Sequence, residues 1–79
     1  TGKDKEERIA ALREQADAAG KKLVETAEKE GQKLIDKAQK PLEKIGAKTA
    51  AAALVKEAQK QADKLKEEAE KAIQKIEAE

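Results

Sequence analysis

The densest cluster of groups able to do chemistry is acidic: Glu67, Glu68 and Glu70 stand within four positions of one another. Two carboxylates can divide general-acid and general-base work when a cleft shifts the proton affinity of one of them. On a helix these three point in different directions with Lys66 and Lys71 among them, and an exposed helix face offers no cleft to shift one of them. The rest of a catalytic inventory is missing. The chain holds no His, Cys, Ser, Tyr, Trp or Asn, so an activated nucleophile with an imidazole base cannot be assembled. Imidazole and thiolate metal ligands are absent for the same reason, and no loop gathers oxygens around a cation. We therefore expect no enzyme: no catalytic, cofactor-binding or metal-ligating residue, no cofactor and no small-molecule substrate.

Two glycines, Gly20 and Gly31, could suggest a phosphate-cradling loop, but no strand precedes them and no GKT or GKS follows. Nucleic acid is disfavoured as a partner. Lys and Arg total 18 against 17 Asp and Glu, interspersed rather than blocked, and no aromatic offers a base a stacking surface. With 44% charged residues and a net charge of +1, this is a solvating surface rather than a phosphate-binding one. No run approaches the roughly 20 apolar residues that a membrane-spanning helix needs.

What remains is architecture. From Leu12 onward the apolar residues recur every eleven positions: Leu12, Leu23, Leu34 and Ile45, with Ala16, Ala27 and Ala38 as a second row and Gly20 and Gly31 as a third. Eleven residues over three turns is about 3.67 per turn, which keeps a stripe almost straight along a helix. Gly20 and Gly31 lie on that stripe, where they allow close backbone approach rather than mark turns. A second series, Leu54, Leu65 and Ile76 with Ala58 and Ala69 and with Ala51, Ala62 and Ile73, has the same spacing and a different phase. On one continuous helix the two stripes would lie almost opposite each other. A hairpin removes the conflict.

Folding the chain back between Lys40 and Pro41 pairs residues whose numbers sum to 81, so that Leu12 meets Ala69, Leu23 meets Ala58, Ala27 meets Leu54 and Leu34 meets Ala47. Pro41 suits the first position of a new helix and disfavours helix at Lys40. A rival turn lies at Gly46 to Thr49, where the glycine could end one helix and the threonine cap the next. We expect an all-α antiparallel helical hairpin with alanine-rich eleven-residue packing, a helix over 4–39, a turn near 40–41 and a helix over 42–78. Asp4 is the expected N-cap, with Glu7 three residues on, and helical ion pairs are expected at Glu25 with Lys29, Asp36 with Lys40 and Glu67 with Lys71.

Thirteen large aliphatics and no aromatic make a thin core. Val24, Ile35, Leu42, Ile45, Ala50, Ala53 and Val55 spread beyond one stripe near the bend, which predicts a homo-oligomer, two hairpins forming a four-helix bundle. The expected function is that of a spacer, stalk or oligomerisation element, in a fragment of a longer protein, since the chain opens on Thr1. The contrasting expectation is an amphipathic helix on a lipid surface, with lysines flanking a shallow apolar face; the absence of Trp and Phe disfavours it.

The stretch from Pro41 through Leu42, Lys44, Ile45, Ala50 to Ala53, Leu54, Glu57 and Ala58, with Gly31 to Ala38 before it, resembles the Ala/Lys/Glu-rich helical tail of AsmA-like cell-envelope proteins of the Bacteroidetes. The likeness covers residues 21–72, and Lys40 stands where that family has Asn. The resemblance implies an envelope-facing helical appendage of a larger protein linked to membrane organisation or lipid transport. It carries over no catalytic residue. A looser resemblance to group 3 late-embryogenesis proteins rests on composition and the eleven-residue period, and implies a chain unfolded in dilute solution.

Overall fold

A computed structural model describes residues 2–79. Helix α1 runs Gly2–Lys37 and helix α2 runs Pro41–Glu77, and they pack side by side as an antiparallel hairpin. The bend falls at 38–40. Alanine, lysine and glutamate dominate both segments, residues that lose little rotamer freedom in a helix, and proline stands only at the first position of α2.

The turn is built from Glu43, not from Lys40. Lys40 is the N-cap residue by backbone conformation, with φ −93° and ψ 151°, but its ammonium carries no acceptor for the first amides of α2. The Glu43 carboxylate, at the third helical position, accepts from the backbone N–H of Gln39 at 3.2 Å and of Lys40 at 3.3 Å. This is half of a capping box, the glutamate half. Its reach-back ties the bend to the first turn of α2, where the carboxylate also complements the helix dipole. The rival turn at Gly46 to Thr49 is not formed: α2 continues through it, and the Thr49 hydroxyl donates back to the Ile45 carbonyl at 3.1 Å within the helix.

Two local expectations are corrected. The first helix starts at Gly2, so Asp4 lies in its first turn rather than at the N-cap. Because α1 ends at Lys37, Asp36 and Lys40 do not share a helix; Asp36 instead accepts from the Gln32 side-chain amide at 2.9 Å. Glu79, the wrong charge for a helix C-terminus, finds a partner across the hairpin, where the Arg8 guanidinium donates to its carboxylate at 3.3 and 3.4 Å.

The two helices meet most closely along a line of the smallest residues. A Cβ built on Gly20 would lie 3.0 Å from the Ala62 Cβ, and one on Gly31 would lie 2.7 Å from the Ala51 Cβ. The contacting pairs therefore sum to 82, one position from the expected Leu-against-Ala register. The physical reason is depth. Glycine lets the backbones approach until alanine fills the gap, and leucines one helical step away are displaced to the flank of the seam. The same register sets Ile9 opposite Ile73, which is fully buried near the open end. The core consists of Gly20, Gly31, Ala51, Ala58, Ala62, Ile73 and Ile76. Towards the bend the large residues come out: Leu34 is 41% exposed, Leu54 37%, Ile45 63% and Leu42 83%.

Candidate functional site

The chemistry-bearing side chains stay apart and wet. Glu67, Glu68 and Glu70 are all exposed, and Glu70 accepts from the Arg13 Nε at 3.5 Å across the helices. Among the described residues no group of three or more acidic side chains gathers in a way that could hold a metal ion. No described helix is long and apolar enough to cross a membrane.

The surface feature with form is a groove of about 580 Å³ along one flank of the seam. Its floor is Ala27 and Ala58, and Leu23, Leu54 and Leu65 stand around it, with Ala19 and Thr26 beside them. Lys22 and Glu30 from α1 and Glu57 and Gln61 from α2 form the rims. This is where the eleven-residue leucine rows emerge. The expected partners Leu23 with Ala58 and Ala27 with Leu54 do share this groove, as neighbours on its walls rather than as the innermost contact.

The opposite flank is different in kind. Its shallower groove, about 400 Å³, is lined by Asp17, Lys21, Gln59 and Lys66 around Gly20, Val24 and Ala62. Charged side chains flanking Val24 leave little continuous apolar surface there. Val24, Ile35 and Val55, expected to contribute to an exposed second face, are half-buried.

The structure also brings out an internal correspondence. Gly20, Leu23, Val24, Ala27 and Leu34 of α1 are matched 31 positions later by Ala51, Leu54, Val55, Ala58 and Leu65 of α2. With Gly20 against Ala62 and Gly31 against Ala51, this places equivalent residues of the two helices on the same flank, about an approximate two-fold through the middle of the seam. The signal was available in the sequence as a 31-residue offset, but it becomes meaningful only when the hairpin register is known.

Comparisons with protein-family models, with curated proteins and with solved structures find no match to this chain.

Proposed function

We propose that this chain is a non-catalytic structural module: a helical hairpin held by eleven-residue Gly/Ala packing that serves as a spacer, stalk or oligomerisation element and associates into a four-helix bundle. The observation that carries the reading is the shape of the layer. Its Cα atoms occupy 62 × 15 × 7 Å, a single sheet of two helices with the interior filled by Gly, Ala and two isoleucines. Domains ordinarily bury an apolar face between two layers, and here the second layer has to come from outside the chain. The inventory of side chains, without His, Cys or Ser, supports a structural rather than a chemical role. On the resemblance to AsmA-like tails, the module would be a helical appendage of a larger envelope protein.

Sedimentation equilibrium and circular dichroism over a hundredfold concentration range test this. The structural reading expects a strongly helical chain whose melting temperature rises with concentration, because association stabilises the folded state by mass action. A chain that is unfolded in dilute solution would instead favour the stress-protein reading. A monomer whose helicity rises only on adding anionic vesicles would favour the lipid-surface reading.

A further inference from the structure

We infer that the face carrying Leu23, Leu34, Leu54 and Leu65 is covered by a second copy of this chain, with the two bends at the same end and α1 of one copy lying over α2 of the other. The inference rests on the self-association reading above and specifies which surface and which orientation produce it.

The face is chosen by what each flank offers. Leu34 and Leu54 are the most exposed leucines of either leucine row; Leu54 lines the 580 Å³ groove, and Leu34 stands eleven residues after the groove residue Leu23, which sets it on the same face of α1 beyond the groove's end. The other flank presents Asp17, Lys21, Gln59 and Lys66 at its groove. The area suffices. The Cα outline of 62 by 15 Å projects to about 930 Å², against the roughly 800 Å² per partner of a standard stable interface. The groove fits what would enter it: a floor of alanines between leucine walls accepts leucines from an identical face by interdigitation.

Orientation follows from the rims. A face-to-face pair has its two-fold axis in the interface plane, either along the helices or across them. Across them, α2 lies on α2 about its midpoint, and the two Glu57 carboxylates come together. Along them, α1 lies on α2 of the second copy, and Lys22 comes within reach of Glu57 of that copy at both symmetric positions. Opposite charges meet and like charges part, which selects the orientation with bends together. That arrangement also sets the exposed Leu42 and Ile45 of both copies at one end of the bundle, and leaves the Arg8 to Glu79 pairs at the other.

The test is sedimentation equilibrium on the full chain and two charge-matched double variants, with circular dichroism confirming that each remains helical. Leu34→Lys with Leu54→Lys alters the proposed face at two positions already more than a third exposed. Gln59 lines the opposite flank, and Gln32 stands eleven residues after Lys21 of that flank, so Gln32→Lys with Gln59→Lys adds the same charge there. The first pair should weaken dimerisation by roughly tenfold or more, and the second by no more than about threefold. Equal losses, or a larger loss from the second pair, would overturn the face while leaving self-association standing. A wild-type chain monomeric at millimolar concentration would overturn both. A single spin label at Lys40 then reads orientation: a separation below about 30 Å supports bends together, and one near the length of the hairpin, 62 Å, overturns it.

Discussion

Gly31 lies so close to Ala51 that a Cβ on the glycine would sit 2.7 Å from the Ala51 Cβ and 3.2 Å from its Cα, closer than two such atoms pack. Neither alanine atom can move without its backbone. The packing of the hairpin turns on this approach and its counterpart at Gly20.

Glycine substitutions should therefore change sign with position. Replacing a helical glycine by alanine ordinarily gains about 1 kcal/mol. At Gly46 nothing lies within 4 Å of the added Cβ, so Gly46→Ala should raise stability by about 0.5–1 kcal/mol. At Gly31 the gain is outweighed by overpacking of about 1–3 kcal/mol, for a net loss of up to about 2 kcal/mol. Urea unfolding of the two variants checks the order. A Gly31→Ala variant as stable as Gly46→Ala would contradict the close approach.

The alanines facing those glycines should be equally intolerant of size. Ala62 is 2% exposed and seated against Gly20, so Ala62→Leu should cost about 1–3 kcal/mol or more by forcing the helices apart. Ala53 is exposed on the same helix. Ala53→Leu should change hairpin stability by less than about 0.5 kcal/mol, measured by thermal unfolding at a concentration where the chain is monomeric.

The bend predicts its own dependence on Glu43. Removing the carboxylate in Glu43→Ala leaves the Gln39 and Lys40 amides without their acceptor and should cost about 0.5–2 kcal/mol. Glu43→Gln keeps a side-chain oxygen that can reach back and should recover most of the loss. Hydrogen exchange at the Gln39 and Lys40 amides would show whether protection follows the acceptor; equal exchange in all three proteins would exclude the cap.

The ion pairs that cross the hairpin should matter little by comparison. In Arg8 with Glu79 and Arg13 with Glu70 every side chain is more than half exposed, which limits each pair to about 0.2–1 kcal/mol. A double-mutant cycle on Arg13 and Glu70 should return a coupling in that range, smaller still in high salt. A coupling of several kcal/mol would mean that the open end is held by charge rather than by Ile73 and Ile76.

The helices, their approximate limits and the fold-back at Pro41 were legible because periodicity and proline act locally. The two phases of the eleven-residue stripe could not be reconciled on one straight helix, and the glycines on that stripe pointed to close approach. The innermost register was not legible. Leucine and alanine rows recur with the same period as the glycine row, so spacing alone cannot say which row lies deepest; backbone approach at Gly20 and Gly31 decides it and shifts the pairing by one. Glu43 was not legible as the cap because a lysine at the N-cap position is unfavourable by itself, whereas the acceptor comes from three residues later. The pairing of Glu79 with Arg8 depends on the hairpin register, which local sequence rules do not contain. Of the groove, the leucine rows were visible in the sequence, but their displacement to one flank and the polar character of the other required the folded register.

The fold-back itself is tested most directly by the distance between spin labels at Glu6 and Gln74, both exposed and near the open end, diluted in unlabelled protein so that only pairs within one chain report. The hairpin predicts a separation of roughly 10–25 Å, one interhelix spacing plus the label arms. A separation near 100 Å, about 68 residues at 1.5 Å each, would mean a continuous helix and would contradict the seam, the groove and the interface built on them.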